Sequence, residues 1–341
     1  MNFQKLDHVF IVAELSANHN GSLKTAIETI KAAKRAGADA IKLQTYRADT
    51  ITLNVNKKDF LIQGDSIWSG QNLFDLYEKG YTPWEWHKEL YDVAREEGLI
   101  CFSTPFDFTA VDLLEKLENP IYKIASFEIT DIPLIRYTAS KGKPMIFSTG
   151  IATIEDIELA LETCKEVGNH QITLLKCTSS YPAPMEEANL VMIHDMAQRY
   201  GVTTGLSDHT LGITSPILAV SQGAKIIEKH FIMDKSIGGP DASFSLDEKE
   251  FLQMVKAVRE AELALGQVDY TLTEKQIQGR NFSRSLYISK DVKKGEIVSI
   301  ENIKSIRPGF GMHPKYFNQV LGKKYNGNFS KGKRLSLNLL Y

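Results

Sequence analysis

Short β-branched runs recur eight times between residues 9 and 231, and stretches with apolar residues at helical spacing lie between them. That alternation is the signature of βαβ units around a parallel sheet. The runs are 9–14 (VFIVAE), 40–44 (AIKLQ), 99–104 (LICFST), 122–126 (YKIAS), 144–149 (PMIFST), 172–178 (ITLLKCT), 202–207 (VTTGLS) and 225–231 (KIIEKHF). Helical spacing is clearest over 22–36, 83–97, 153–167, 186–200 and 246–265, and several of these open on a Ser, Thr or Asp able to cap the first turn. Eight strand–helix alternations over about 265 residues fit an α/β fold of the closed (β/α)8 type, the TIM barrel, better than an open doubly wound sheet. Residues 45–82 read as a long loop above such a barrel.

The alternation stops after Gly266, so the expected organisation is a barrel over 1–266, a linker over 267–285 and a second module over 286–341. The last segment has short strands divided by Gly and Pro. A mainly-β module of about 55 residues is marginal alone and is expected to pack against a barrel, its own or a neighbour's. The net charge of −2 conceals an asymmetry: nine Lys and two Arg against Asp291, Glu296 and Glu301 make 286–341 +8, leaving −10 elsewhere. These cations are spread among Gly, Pro and apolar residues without a run, which argues against a nucleic-acid arm.

Hydrophobic residues at 43% and charged residues at 24% are ordinary for a globular chain and exclude disordered and collagen-like classes. The first residues lack a basic segment followed by a long apolar one, and no 18-residue apolar stretch follows, so a cytoplasmic protein without a membrane partner is expected. Cys101, Cys164 and Cys177 show no CxxC spacing and read as buried free thiols.

Barrel enzymes carry their chemistry at the C-terminal ends of the strands. Here those ends hold Glu14; Lys42 and Gln44; Ser103 and Thr104; Lys123 and Ser126; Ser148 and Thr149; residues 178–181; residues 207–209; and Glu228 with His230. One Ser or Thr at a strand end is ordinary turn chemistry. Eight polar ends with two lysines inside parallel strands are not, because a lysine there costs stability unless it meets a ligand or partner.

His209 and His230 end neighbouring strands, close enough to share a divalent ion, with Glu228 on the same face as His230. Lys42 and Lys123 with Thr104, Ser126 and Ser148 form an anion basin suited to phosphate or a phosphorylated acid, the alternative being structural salt bridges. Glu14 is a candidate acid or base.

Taken in order, VAELSANHNGSLKTA, IKLQTY, FSTPFD, YKIAS, STGIAT, CTSSYPAP, GLSDHTLGI, IEKHF and GGPDASFSL resemble the barrel of the sialic acid synthase family. RPGFG resembles its antifreeze-like (SAF, β-clip) domain, and the match runs from about residue 8 to 335. The segments SIWSGQNLFDLYEKGYTPWEWH, LLKCTSSYPAP and RPGFGMHPKY resemble the branch that makes pseudaminic acid more than the sialic or legionaminic branches.

The resemblance implies a synthase joining phosphoenolpyruvate to an amino-sugar aldehyde. His209 and His230 would bind a divalent metal, manganese first with magnesium or cobalt as alternatives. Lys42, Thr104, Lys123, Ser126 and Ser148 would hold phosphoenolpyruvate with Ser207 beside them. Gln44, Tyr181, Glu228 and Asp241 would line the sugar end, and Glu14 would be the catalytic acid/base. Ser179 stands where some members carry asparagine. Arg307 would reach the N-acyl group from the partner of a domain-swapped homodimer. Two other readings are a Schiff-base aldolase using Lys42, Lys123 or Lys229, and a carbohydrate- or ice-binding protein built on the tail.

Overall fold

A computed structural model describes residues 3–63 and 68–341. Eight parallel strands close into a barrel in sequence order: β1 (Phe10–Glu14), β2 (Ala40–Thr45), β3 (Ile100–Pro105), β4 (Tyr122–Ile124), β5 (Met145–Ser148), β6 (Ile172–Cys177), β7 (Thr203–Asp208) and β8 (Ile226–His230). Closure comes from β1 pairing with β8, where Glu14 lies opposite His230.

The strands alternate with period two between two apolar surroundings. Ile11, Ala13, Ile41, Leu43, Tyr122, Ile124, Met145, Phe147, Leu174 and Ile227 belong to the large cluster under the surrounding helices. The inward positions make a second, smaller cluster of Phe10, Val12, Ala40, Phe102, Ile121, Ile146, Leu175 and Ile226. One further inward step up each strand the chemistry changes, to Glu14, Lys42, Thr104, Lys123, Ser148, Cys177, Ser207 and Glu228. The barrel is therefore plugged by hydrocarbon at one end and polar at the other. Gly205 makes this fit: a Cβ there would lie 2.3 Å from the Ile226 carbonyl oxygen and 2.8 Å from Leu175.

The helices follow the caps read from the sequence. Leu23–Arg35 starts from Ser22, whose side chain accepts from Thr25 N, while Ile154–Glu166 and Glu248–Leu265 open with capping boxes at Thr153 and Asp247. The expectation of a plain loop over 45–82 needs correction. That segment holds short helices at Ala48–Ile51 and Leu73–Gly80, the latter capped by Asn72, whose side chain accepts from Phe74 N. Likewise 267–285 is not featureless, since Thr273 caps a helix at Glu274–Gly279 and Ser285 already begins a strand.

The chain divides into two compact units, residues 1–266 and 267–341. In the second, β9 (Ser285–Ile288) pairs antiparallel with β10 (Ile303–Ile306) over a core including Leu286, Val298, Val320, Tyr325 and Leu335. All three cysteines are free and buried, as expected. Among the described residues no helix is long and apolar enough to cross a membrane.

Candidate active site

The polar barrel end is a buried charge network. Lys42 pairs with Glu14 and lies 3.3 Å from Thr104 Oγ1 and 3.7 Å from Glu228 Oε1. Lys123 donates to Ser148 Oγ at 2.7 Å and stands 3.3 Å from the same Glu228 oxygen, which also accepts from Ser207 Oγ at 3.2 Å. Gln44 donates to Glu14 Oε1 and to Ser16 Oγ, both at 2.9 Å. Thus residues from five strands, Glu14, Lys42, Thr104, Lys123 and Glu228, meet in one buried cluster.

Their surroundings push the two carboxyls apart. Burial raises the pKa of Glu14 above the usual range although Lys42 opposes it. For Glu228 burial works in the same direction, but Lys123 and Lys42 outweigh it and hold the carboxyl below the usual range. Burial pulls Lys42 down, yet Glu14 and Glu228 together keep it above the ordinary lysine value. Lys123 is lowered by burial, with Glu228 only partly compensating. A pair of carboxyls separated in this way is the usual mark of distinct acid and counter-charge roles.

Beside the lysines the loop after β5 forms a cradle. Ser126 Oγ accepts from Ile151 N at 3.0 Å and from Ser179 Oγ at 2.8 Å. Gly150 has no room for a side chain, since a Cβ would sit 2.2 Å from Ser179 Oγ, 2.8 Å from Ser126 Oγ and 3.0 Å from Cys177 Sγ. Backbone and hydroxyl groups close around a small volume, as phosphate sites require.

The two histidines also come together, with ring centroids 5.3 Å apart. His209 Nδ1 lies 2.9 Å from the Thr178 carbonyl, so this nitrogen carries the proton and donates, leaving Nε2 as a lone pair. His230 is kept neutral by burial and by neighbouring His209 and Lys42, and its Nδ1 is buried without a hydrogen-bond partner, 3.8 Å from Asp241 Oδ2. Burial lowers the pKa of His209, but Cys177 and the Thr178 carbonyl outweigh it and hold it above the ordinary imidazole value. Two oriented imidazoles, one of them neutral with an orphaned nitrogen, fit a divalent ion. Among the described residues no group of three His, Cys, Asp or Glu side chains is placed to enclose one, so the pair leaves the remaining ligand positions open.

Above this floor opens a cavity of about 650 Å3, bounded by Ser16, Gln44, Ser179, Tyr181, His230 and Asp241 below and by Tyr46, Leu73, Leu76 and Tyr77 on one side. Tyr181 packs against His209 with ring centroids 4.4 Å apart and planes tilted by 45°, and against Phe244 at 5.2 Å. Asp241 accepts from Ala17 N at 3.3 Å.

Every barrel residue singled out in the sequence thus lies at this end, with exceptions of orientation only. Ser103 turns its hydroxyl outward to Thr45 Oγ1 at 2.7 Å, while its backbone N donates to Asn119 Oδ1 at 3.2 Å. Lys229, one of the three candidate Schiff-base lysines, points away from Glu228 and His230 and is bound by Asp208 and by the Thr210 carbonyl at 2.6 Å. Arg307 lies in the second unit, exposed just after β10.

One residue was missed. Glu128 ends the single 3₁₀ turn that follows β4, lines the cavity, and has a buried, unpartnered Oε2. Burial raises its pKa to about 7, with Lys123 opposing. The signal was available two residues after Ser126, in SFE, but only the turn brings it round.

A model of the NeuB family matches residues 29–270, and a SAF domain model matches residues 283–339. The pseudaminic acid synthase of Campylobacter jejuni is 50% identical over 98% of this chain and 97% of its own length. That of Helicobacter pylori is 48% identical over 92% of each. The crystal structure of an N-acetylneuraminic acid synthetase from Leptospira borgpetersenii superposes with a TM-score of 0.72 at 31% identity, covering 81% of this chain and 92% of that one. With the family's barrel signature and its following SAF domain both present in order, the chain belongs to the NeuB family.

Proposed function

We propose that this enzyme is a phosphoenolpyruvate-dependent nonulosonic acid synthase that joins phosphoenolpyruvate to 2,4-diacetamido-2,4,6-trideoxy-altrose and water, giving pseudaminic acid and phosphate. The observation that carries it is the meeting of two lysines and a ring of hydroxyls with a pair of imidazoles, one nitrogen of which is orphaned, at one barrel end. The likeness to pseudaminic acid synthases along nearly the whole chain selects the branch.

Lys42 and Lys123 bind the phosphate and carboxylate of phosphoenolpyruvate, with Thr104, Ser126, Ser148, Ser179 and Ser207 donating around them. Gln44, Tyr181 and Asp241 orient the open-chain sugar over the floor, and Arg307 from the partner subunit of a homodimer grips an N-acyl group. His209 and His230 hold a divalent ion, manganese first, which when bound polarises the sugar aldehyde.

The enol C3 attacks the aldehyde carbon while Glu14, with its raised pKa, gives its proton to the carbonyl oxygen. The carbon–carbon bond forms and C2 becomes oxocarbenium-like, beside the ionised Glu228. Water adds at C2 and loses its proton to Glu14, restoring the acid. The C2 to oxygen bond to phosphate then breaks, the new hydroxyl becomes the ketone, and its proton leaves with phosphate.

Of the three Schiff-base candidates, Lys229 is tied to Asp208 outside the barrel and Lys42 to Glu14 within it, which leaves Lys123 as the lysine that such a route would need. The test is phosphate release from phosphoenolpyruvate with the altrose sugar, its gluco- or manno-configured relatives and N-acetylmannosamine. Turnover of the altrose sugar, abolished by EDTA and restored by manganese, is expected, with Arg307→Ala raising only the sugar KM. Turnover of another sugar alone moves the branch to legionaminic or N-acetylneuraminic acid. Label from H2 18O found in the phosphate and not at C2 refutes the bond cleavage.

A further inference from the structure

The segment between Tyr46 and Gly80 is unused by the chemistry above, yet it builds one side of the cavity. Its helix Leu73–Gly80 is amphipathic: Leu73, Leu76, Tyr77 and Gly80 line the cavity, whereas Asp75, Glu78 and Lys79 are exposed. A surface helix ordinarily buries such a stripe in the core. Here Leu73, Leu76 and Tyr77 are only half-buried and stand outside the barrel's apolar clusters.

The helix is held close at its C-terminal end. A Cβ on Gly80 would come within 3.1 Å of the Tyr46 hydroxyl and 3.5 Å of Ala17 Cβ, so the glycine lies close against both side chains. The stripe therefore faces a fixed gap, and whatever fills the gap is its packing partner.

The polar floor dictates which end of a substrate meets this wall. An aldehyde must reach the side of the cavity where Gln44 and His230 lie above the buried lysines. The opposite end of a six-carbon open chain then points away from the floor, towards the walls of which the stripe forms one side. In the sugar proposed above that end is a methyl, where a common hexose carries a hydroxymethyl group.

We infer that the apolar face of helix 73–80 is the specificity determinant for the deoxygenated C6 end of the sugar, an inference that rests on the sugar assigned in the preceding subsection. Leu73 and Leu76 pack against the methyl and themselves offer a hydroxyl no hydrogen bond, so a 6-hydroxy sugar seated on them gives up hydrogen bonds to water that these two side chains do not replace. An apolar pocket rejects an added hydroxyl by only about 10²-fold, which sets the expected discrimination.

The experiment compares kcat/KM for 2,4-diacetamido-2,4,6-trideoxy-altrose and its 6-hydroxy counterpart, using phosphate release by the full-length protein with manganese. The native enzyme is expected to prefer the 6-deoxy sugar by about 10²-fold. Leu76→Asn and Leu73→Asn should bring the ratio to within about tenfold at unchanged phosphoenolpyruvate KM, and Leu76→Met should keep it. Equal use of both sugars by the native enzyme overturns the inference while leaving the sugar assignment standing, and this comparison does not depend on any variant folding. A native ratio retained by both Asn variants overturns it as well. Turnover of N-acetylmannosamine with neither altrose sugar used overturns the sugar assignment and the inference together.

Discussion

Replacing Gly150 by alanine is the sharpest probe of the anion cradle. The added methyl would lie 2.2 Å from Ser179 Oγ and 2.8 Å from Ser126 Oγ, with Cys177 Sγ at 3.0 Å. Ser179 can rotate away, which breaks its 2.8 Å bond to Ser126. Ser126 is less free, because its oxygen accepts from Ile151 N, on the residue next to Gly150. Relief therefore needs either a backbone shift or loss of that bond too. Overpacking of this kind costs about 1–3 kcal/mol, and each lost neutral hydrogen bond about 0.5–1.5 kcal/mol.

The functional effect is separable from the stability effect. A serine hydroxyl turned away from phosphate forfeits a hydrogen bond to a charged group, worth about 1.5–3 kcal/mol, or roughly 10- to 150-fold in affinity. Initial rates with phosphoenolpyruvate varied at saturating sugar should show its KM raised by that factor, and the sugar KM should change far less. The double variant Gly150→Ala/Ser179→Ala removes the closest oxygen but leaves Ser126 at 2.8 Å, so it should regain part of the lost melting temperature without regaining phosphoenolpyruvate affinity. A native phosphoenolpyruvate KM in Gly150→Ala, or a rise confined to the sugar KM, would refute the cradle.

Two more outcomes follow from buried ionisable groups. Glu128 has a pKa raised from 4.5 to about 7, so the folded protein binds more protons than the unfolded chain between those values and stability falls as pH rises through that window. Glu128→Gln should match the native protein at pH 4.5 and exceed it at pH 8 by at most about 3 kcal/mol, read from denaturation midpoints across that range; no pH-dependent difference would contradict the burial of this carboxyl. Lys229→Met leaves Asp208 as a buried charge without its partner and should destabilise by about 3–5 kcal/mol. Borohydride with either substrate should trap nothing on the native enzyme, and a trapped adduct at Lys229 would reverse its assignment as structural.

Much of this was legible in the residues. Strands buried on both faces read as short β-branched runs, and most ends fall within one or two residues of those expected from the sequence. Period-two alternation, carried up each strand, even explains why Lys42 and Lys123 reach the mouth while Lys229 does not. Other features depend on what the chain does between strands. The YKIAS run was expected to continue to residue 126, but β4 ends at Ile124 because Ser126–Glu128 winds into a 3₁₀ turn. The helix after Asn72 escaped notice since its stripe is only two turns long and faces a cavity instead of core. Gly150 gave no sign of its role, which arises from side chains on the segments after β4 and β6 crowding one Cα.

The charge balance at the floor links the two glutamates to substrate binding. Without substrate, Lys42 and Lys123 are already offset by Glu14 and Glu228, so the cluster presents little net positive charge to an anion. Phosphoenolpyruvate brings a phosphate and a carboxylate into this buried place, and the uncompensated charge would be costly there. Glu14 is the group placed to yield, because burial already favours its neutral form and a second anion nearby favours it further. In the proposed reaction, taking up a proton would release Lys42 to the substrate and make Glu14 the acid that the aldehyde oxygen needs. Glu228, whose pKa both lysines hold below the usual range, would stay behind as the counter-charge for the cationic centre at C2. Binding of the anion would thus prepare the acid, so that substrate recognition and the first proton transfer draw on the same pair of residues, Glu14 and Lys42.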